Sequence, residues 1–394
     1  MDLSLSAADE AFAGELAAWL GAHPAPPPAP PGDLAAQMAR DRAFQAELAA
    51  ARWVGVAWPE AHGGRGATPT QVALYHAVYA RSGAPQLVNR VGVNLAGPTL
   101  LEHGSAGQKE RWLRPILSAA EIWCQLFSEP EAGSDLGSLA TVAEPAAGGY
   151  RVTGTKIWTS YAQFARWGLC LARIPAPQAH GPQGRQAPAQ RRATGAITCF
   201  AVDMEASGVS VRPLVQATGD AEFNEVFLDG VFVPVENRIG EAGAGWAVAS
   251  STLAHERGTT FPFKEQAVHE NYLGALYRLA AERGVLDDPT TADALAGSYV
   301  ALGVLRLHNL RTLSRVARGL QPGPESSWVK LAWTEMSQAM ADAAIAIAGT
   351  GSAAGIEGPW QRQWLWSRAA SIAGGTSEIQ RDIIASRILR LPRA

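Results

Sequence analysis

The sequence has few cysteines and no excess of positive charge, and each absence excludes a class of protein. Its 394 residues contain only three cysteines, Cys124, Cys170 and Cys199. An odd number of widely spaced cysteines predicts neither a disulfide framework nor a zinc site of paired cysteines. The 33 basic residues are outnumbered by 36 acidic ones, so no positive field is available to hold nucleic acid or an anionic membrane surface.

Long apolar runs and metal-ligand patterns are also missing. No run of about 18 apolar residues is present, and no charged N-terminal segment precedes an apolar one. The eight histidines include no H-E-x-x-H motif and no close pair, so we expect no metal site. These absences predict a reduced, cytoplasmic protein with no membrane span and no nucleic-acid partner.

The hydrophobic patterns divide the chain into three parts. Helical windows occupy residues 1–123, short alternating runs occupy 124–235, and helical windows return over 236–394. Four strands are expected in the middle part, at 150–153, 197–202, 209–212 and 225–228. The last part has helical windows at 246–283, 291–319, 327–348 and 361–390, the number expected for a four-helix bundle. We therefore predict an α+β protein with an N-terminal helical domain, a middle antiparallel β-domain and a C-terminal four-helix bundle.

Two segments of the middle part combine small, polar and aromatic residues. Segment 123–135 reads WCQLFSEPEAGSD, in which the small residues at 132–134 let backbone N–H groups approach a ligand and Ser128 and Ser134 add hydroxyls. Segment 154–160 reads GTKIWTS and places Trp158 two residues before Ser160. A planar heterocycle needs a ring to stack on and hydrogen-bond donors at its edge. A turn and a core tryptophan beside a serine explain the same residues, so both interpretations stay open on these grounds alone.

A carboxylate lies on the apolar stripe of the first C-terminal helix. At about 100° per residue, Glu256 falls about 60° from Leu253 and about 20° from Ala249. Burial on such a face is unfavourable for a charged group and raises the pKa of a carboxyl toward a value suited to a general base. The alternative is a structural ion pair with Arg257 or with a distant arginine.

Three motifs, taken in order, resemble the acyl-CoA dehydrogenase family, and the resemblance extends over nearly the whole chain. Residues 128–135, SEPEAGSD, are similar to the family's (T/S)-E-P-x-A-G-S-D signature. Residues 154–158, GTKIW, resemble its G-x-K-x-(W/F/Y) strand, and 374–381, GGTSEIQR, resemble its C-terminal signature. The resemblance implies the same three-part fold. It also implies FAD, bound between the middle and C-terminal domains and shared across a dimer contact.

The resemblance also implies roles for single positions. Trp158 is expected to stack on the isoalloxazine ring of FAD, and Ser160 is expected to donate a hydrogen bond near flavin N5. The other expected contacts with FAD are Phe127 and Ser128 at the pyrimidine edge, Gly133 and Ser134 at the pyrophosphate, and Thr376 and Glu378 near the phosphate and ribityl chain.

This sequence differs from many members of the family in the position of the glutamate that abstracts the α-proton of the substrate. They carry a glutamate immediately before the Gly-Thr of the C-terminal signature, and Gly374 occupies that position here. A subset similar to isovaleryl- and long-chain enzymes carries the glutamate on a bundle helix before an arginine, which matches Glu256 and Arg257. We therefore predict Glu256 as the catalytic base and expect Arg257 and Gly374 to bind the substrate.

A second departure concerns the half of the FAD site that a partner subunit supplies in the family. The usual R-x-x-F-G motif is missing, because Arg283 is followed by Gly-Val-Leu, and the usual glutamine before the Gly349 loop is Ala346. This pattern is compatible with a heteromer in which one type of subunit lacks part of the cofactor site.

The reaction implied by the resemblance is α,β-dehydrogenation of an acyl-CoA to the trans-2-enoyl thioester. Hydride transfer to flavin N5 and an electron-transfer flavoprotein as acceptor are expected with it, in fatty acid or acyl-CoA metabolism. We expect a homodimer or homotetramer, with a heteromer as the alternative. The rival functions are a non-catalytic or half-site subunit and a flavin oxidase or monooxygenase on the same scaffold. Because Gly374 removes side-chain bulk beside the reacting carbons, we expect branched, cyclic or otherwise bulky acyl groups.

Overall fold

The computed structural model describes residues 5–30, 32–175, 196–256, 260–320, 323–349 and 358–392. The chain separates into two compact units that alternate along the sequence. The first unit comprises Met1–Pro27, Ala67–Pro85 and Glu256–Ala394, and the second comprises Pro28–Gly66 and Gln86–His255. The domain boundaries at 123 and 235 stay predictions. Within the described ranges, no helix has the length and apolar character needed to cross a membrane.

Five α-helices precede the sheet in the described part of the chain. They are α1 (Ala7–Ala22), α2 (Leu34–Ala50), α3 (Pro69–Arg81), α4 (Gly97–His103) and α5 (Ala106–Leu117). Ser6, Thr68 and Ser105 form capping boxes at the starts of α1, α3 and α5. In each box a side-chain oxygen accepts a hydrogen bond from a backbone N–H that has no partner within the helix. One π-helical turn, Gly92–Ala96, leads into α4.

Eight strands form a single sheet in the described residues. They are β1 (Trp123–Leu126), β2 (Val142–Ala146), β3 (Gly149–Ser160), β4 (Trp167–Arg173), β5 (Ile197–Asp203), β6 (Val209–Leu214), β7 (Phe223–Pro234) and β8 (Arg238–Ile239). Their order is β6-β7-β3-β2-β4-β5-β8, and β1 pairs with β4. All four predicted strands are present, within β3, β5, β6 and β7.

Most of the strand pairs are antiparallel, as expected, but the sheet is mixed. Strand β4 runs parallel to β1 and, at one position, to β2. Neither pair is joined by a tight hairpin, and the longer connections let the chain return in the same direction. All three cysteines lie on strands of the sheet, and they are free and buried. Burial raises the pKa of the Cys170 thiol to about 11, so this thiol is protonated and packs as an apolar group.

Six α-helices follow the sheet in the described residues. They are α6 (Gly245–Glu256), α7 (Thr260–Glu282), α8 (Pro289–Val316), α9 (Ser326–Ala348), α10 (Pro359–Ala369) and α11 (Ser377–Ile383). Helices α7, α8 and α9 enclose a core that includes Leu276, Leu305 and Met340, and α10 and α11 pack on α9.

The last predicted helical window, 361–390, is interrupted in the structure. Gly374 and Gly375 have φ angles of 66° and 91°, in the left-handed region that favours glycine and ends a helix. Thr376 then caps α11. The expectation of one continuous helix was therefore wrong, because two glycines and a capping threonine outweigh the apolar periodicity of this window.

Candidate functional site

The exposed side chain of Trp158 results from a bulge in β3. Val152 and Lys156 point into the core, and strict alternation along the strand would place Trp158 beside them. Between Lys156 and Thr159, however, the pairing advances three residues on β3 and two on β7. The additional residue reverses the faces of the strand, so that Thr159 is buried and Trp158 is 60% exposed. The Trp158 ring contacts Phe223 edge-on, with 6.2 Å between ring centroids.

The backbone at Trp158 is unusual as well. Its φ angle of 59° lies in the left-handed region, which bulky residues rarely adopt. Strain of this kind persists where the surrounding structure imposes it, and it is concentrated at functional sites. A large aromatic face held toward solvent on a rigid strand is suited to stacking with a planar ring.

The loop after β1 runs directly beside this bulge. The Ser128 carbonyl oxygen accepts a hydrogen bond from the Ile157 N–H at 2.9 Å. Phe127 is buried, Ser128 is half-buried, and Gly133 and Ser134 are exposed. A Cβ atom added to Gly133 would meet no other atom within 4 Å, so its backbone is accessible to a ligand. The structure therefore brings the two predicted segments of the middle part together.

Ser160 ends the same strand. It pairs with Phe223 on β7, and its side chain is half-buried. One residue, Thr159, separates it from Trp158 along the chain, so an aromatic face and a hydroxyl occupy the same end of β3.

Sequence reasoning assigned no role to Glu129 and Lys156, although both belong to the quoted motifs. Lys156 is fully buried, and its Nζ lies 2.7 Å from Glu129 Oε1. Burial by itself raises the pKa of Glu129, but the Lys156 charge, the Thr141 hydroxyl and the Ala140 N–H together leave that pKa below its ordinary value. The alternation of β3 was the available signal, because it places Lys156 on the same face as the buried Val152.

Helix α6 ends at the predicted base. The buried hydroxyls of Thr252 on α6 and Thr99 on α4 lie 2.8 Å apart, and a histidine of α4 lies 2.7 Å from a serine hydroxyl of α6. These two hydrogen bonds fix α6 on α4, and sequence reasoning missed them. Glu256 is the last residue of α6. The side chain of Glu256 and the whole of Arg257 lie outside the described residues, so their roles stay predictions.

The turn that carries Gly374 is held by a side chain that sequence reasoning also missed. Gln380 is fully buried, and its Nε2 donates to the carbonyl oxygens of Gly374 and Gly375 at 3.2 and 3.3 Å. Thr376 Oγ1 accepts a hydrogen bond from the Ile379 N–H at 3.3 Å. Gly374 itself is exposed, so a ligand can approach the backbone of this turn.

Glu378 lies on the first turn of α11. It is exposed, and hydrogen bonds from its own backbone N–H and from the Thr376 hydroxyl lower its pKa. The structure thus places Gly374, Thr376 and Glu378 in one short segment of the first unit. Phe127, Ser128, Gly133, Ser134, Trp158 and Ser160 all belong to the second unit.

The residues of the second unit fit a flavin. An isoalloxazine ring has a flat apolar face and a hydrogen-bonding edge. The exposed Trp158 ring supplies a stacking face, the half-buried Ser128 and Ser160 supply hydroxyls, and the backbone at Gly133 is open.

Three family models match the chain in sequence order. They are the acyl-CoA dehydrogenase N-terminal domain over residues 9–120, the middle domain over 124–231 and the C-terminal domain over 243–389. The chain belongs to the acyl-CoA dehydrogenase family. This confirms the family resemblance, the three-part fold and FAD as the cofactor.

Individual relatives cover nearly the same length. Acyl-CoA dehydrogenase IpdE1 of Mycobacterium tuberculosis is 38% identical over 355 residues, which is 89% of this chain and 88% of the relative. A solved structure described as the Tcur3481-Tcur3483 steroid ACAD is 26% identical, with a TM-score of 0.84 and complete coverage of both chains. The ChsE4-ChsE5 complex of Mycobacterium tuberculosis is also 26% identical, with a TM-score of 0.81 over the whole of both chains. The protein is therefore an FAD-dependent oxidoreductase of the acyl-CoA dehydrogenase type.

Proposed function

We propose that this protein converts a bulky, ring-containing acyl-CoA to its trans-2-enoyl thioester, with Glu256 as the base. The observation that carries the proposal is Gly374. A glycine with φ of 66° occupies the position at which many members of the family have their glutamate. The proton acceptor must then come from elsewhere, and Glu256 at the end of α6 supplies a carboxylate.

Glu256 removes the α-proton of the thioester onto a carboxylate oxygen. Helix α6, whose last residue is Glu256, is fixed on α4 by two hydrogen bonds. A carboxylate that is shielded from water by a bound substrate is a stronger base than one in bulk water. The electron pair of the broken C–H bond forms the new carbon–carbon double bond.

The thioester carbonyl oxygen gains negative charge as the α-proton leaves. Gly374 donates its backbone N–H to this oxygen, and Gln380 holds the turn so that the donor is in place before the reaction. The chemistry that FAD would supply when bound is the acceptor for the hydride that leaves the β-carbon. Trp158 would stack on the flat ring and Ser160 would bond to its edge. The remaining contacts would come from Phe127 and Ser128 at the pyrimidine edge and from Gly133 and Ser134 at the pyrophosphate.

The size of the acyl group follows from the same glycine. With no side chain at Gly374, the space next to the reacting carbons stays open for a wide substrate. A similar solved structure is described as a steroid ACAD, which supports a polycyclic acyl-CoA. We propose an electron-transfer flavoprotein as the acceptor of the electrons.

A second candidate is a subunit that forms a complete FAD site only with a different chain. The residues after Arg283 lack the Phe-Gly that holds the ADP part of FAD across the dimer in the family. Two similar solved structures carry the names of two components, Tcur3481-Tcur3483 and ChsE4-ChsE5. Both observations favour a heteromer over the homotetramer.

The visible absorption spectrum of the purified chain separates these candidates. We expect a yellow protein that bleaches when a polycyclic acyl-CoA is added without oxygen, and much less with a short linear acyl-CoA. Bleaching confined to short unbranched chains would contradict the substrate class. A colourless chain that does not bind added FAD would favour the half-site subunit. Oxygen consumption that matches substrate turnover would indicate an oxidase.

Replacement of the base tests the mechanism. We expect Glu256→Gln to keep FAD and substrate binding and to slow flavin reduction by about 10²–10⁴-fold, the usual contribution of a positioned base. Glu241→Gln is the matched control, because the Glu241 side chain is 91% exposed. Flavin reduction is measured by stopped-flow absorption. A near-normal rate in Glu256→Gln would remove this residue from the mechanism.

A further inference from the structure

Lys156 places a buried charge directly beneath the loop that is proposed to meet FAD. Its side chain has no exposed surface. The ammonium group has three acceptors, which are Glu129 Oε1 at 2.7 Å, the Leu171 carbonyl oxygen at 2.8 Å and the Phe127 carbonyl oxygen at 3.3 Å. All three donors of the ammonium are therefore used, which is the condition for burying such a group.

Glu129 extends the network to a third segment of chain. Its carboxylate accepts hydrogen bonds from the Ala140 N–H and from both the N–H and the hydroxyl of Thr141, just before β2. Together with Lys156 on β3 and Leu171 on β4, the ion pair joins the loop after β1 to two strands and to the segment that leads into β2. Each link is a hydrogen bond to a charged group, the stronger kind.

Two consecutive carbonyl groups of the loop, at Phe127 and Ser128, are bonded to β3. The carbonyl oxygen of Phe127, one residue before it, accepts from Lys156, and the carbonyl oxygen of Ser128 itself accepts from the Ile157 N–H at 2.9 Å. Both donors come from the two residues that precede Trp158 on β3. The position of the Phe127–Ser128 backbone relative to the Trp158 ring is thus set by two adjacent residues of one strand.

We propose that Glu129 and Lys156 are positioning residues for FAD. Their ion pair fixes the backbone that meets the edge of the flavin against the aromatic face that stacks on it. This inference rests on the proposed FAD contacts of Phe127, Ser128 and Trp158. Both charges are buried beneath the loop, so the effect on binding is carried by the loop. A pre-organised site binds FAD without having to order this loop, and a displacement of about 1 Å in such a site is costly.

The test separates positioning from ordinary support of the fold. FAD is removed from the full chain, and its Kd is measured by flavin fluorescence for wild type, Lys156→Met and Val152→Ala. Val152 is the matched control, because it lies on the same strand and is fully buried but contacts neither Ser128 nor Glu129 through a hydrogen bond. The melting temperature of each flavin-free variant is recorded beside its Kd. The visible circular dichroism of bound flavin reports the geometry around the ring.

We expect Lys156→Met to weaken FAD binding at least about tenfold and to change the flavin circular dichroism. Val152→Ala is expected to change the Kd less than about threefold, although it lowers the melting temperature by removing core methyl groups. Glu129→Gln keeps the size of the side chain and removes its charge. It is the second variant if Lys156→Met does not fold, and it should weaken FAD binding in the same direction.

Two results would overturn the proposal. In the first, the loss of FAD affinity is proportional to the drop in melting temperature for Lys156→Met, Glu129→Gln and Val152→Ala alike. The ion pair then supports the fold and does not position the cofactor. If Trp158→Asn weakens FAD binding while Lys156→Met and Glu129→Gln do not, positioning is wrong and the FAD site stands. Unchanged binding in Trp158→Asn as well would show that the proposed FAD contacts themselves are wrong.

Discussion

The loop beside β3 and the Gly374 turn both have exposed backbone and are both proposed to meet a ligand, but they are held in different ways. The loop is held by a buried ion pair, with Lys156 bonded to three acceptors. The turn is held by the neutral amide of Gln380, whose two contacts with carbonyl oxygens are 3.2 and 3.3 Å long. In addition, Gln380 Oε1 is buried without a partner among the described atoms.

The two kinds of contact predict that the loop is more rigid than the turn. Removal of one partner from a buried ion pair leaves an uncompensated charge in the core, whereas loss of a neutral hydrogen bond is several times less costly. We infer that the part of the site proposed for the invariant cofactor is rigid. The turn proposed for the variable acyl group can shift at lower cost.

Breaking the ion pair should have the largest effect on stability. We expect Lys156→Met to lower the free energy of unfolding by about 3–5 kcal/mol, because the buried Glu129 charge loses its partner. Urea unfolding of the flavin-free protein measures the change. Lys109→Met, on the half-buried surface of α5, is the control and should change stability by about 0.5 kcal/mol or less. Equal unfolding midpoints for the two variants would contradict the comparison.

An intermediate effect is expected at the turn. Gly375→Ala should cost on the order of 1–2 kcal/mol, because its φ of 91° is unfavourable for alanine and the new Cβ would lie 2.7 Å from Gln380 Nε2. Gly14→Ala is the control. Gly14 lies within α1 with no atom within 4 Å of an added Cβ, so this change should stabilise the protein by about 0.5–1 kcal/mol. Melting temperatures are measured by thermal unfolding. If both variants shifted in the same direction, the positive φ of Gly375 would not explain its effect.

The smallest effect on stability is expected at the aromatic face itself. Trp158→Asn should change the free energy of unfolding by about 0.5 kcal/mol or less, since the ring is 60% exposed and asparagine tolerates positive φ. FAD binding should nevertheless weaken about tenfold or more, as a stacking partner is lost. Trp328→Asn, at 42% exposure, is the control for FAD affinity. A large loss of stability in Trp158→Asn would mean that the ring supports the fold.

Much of the fold could be predicted from local patterns. The strands at 197–202 and 225–228 follow period-two alternation or apolar runs between turn residues, and they lie within β5 and β7. Strand β4, WGLCLAR, was not predicted, because a fully buried apolar run has no alternation to distinguish it from a helix. The break at Gly374 does not follow from apolar periodicity, because the periodicity continues across two adjacent glycines that adopt positive φ.

The candidate site was predictable at the level of segments but not of contacts. The motifs predicted ligand contacts for Ser128, Trp158 and Gly374, and the structure shows Trp158 and Gly374 exposed and Ser128 half-buried. The buried partners Lys156 and Gln380 belong to the same motifs, yet their roles depend on which chain segments become neighbours. A carbonyl from residue 127 or 171 has no signature in the sequence around Lys156.

The bulge in β3 has a consequence for how this strand tolerates insertion and deletion. Trp158 faces solvent because β3 advances by three residues from Lys156 to Thr159 while β7 advances by two over the same paired positions. Deletion of Ile157 would restore regular pairing and leave the Trp158 indole on the exposed face, with Thr159 still in the core. One residue added to β7 between Asn224 and Val226 would also restore regular pairing, but alternation would then turn the indole into the core. Related chains should therefore tolerate a deletion at Ile157 better than an addition to β7 opposite it, because only the addition buries the indole.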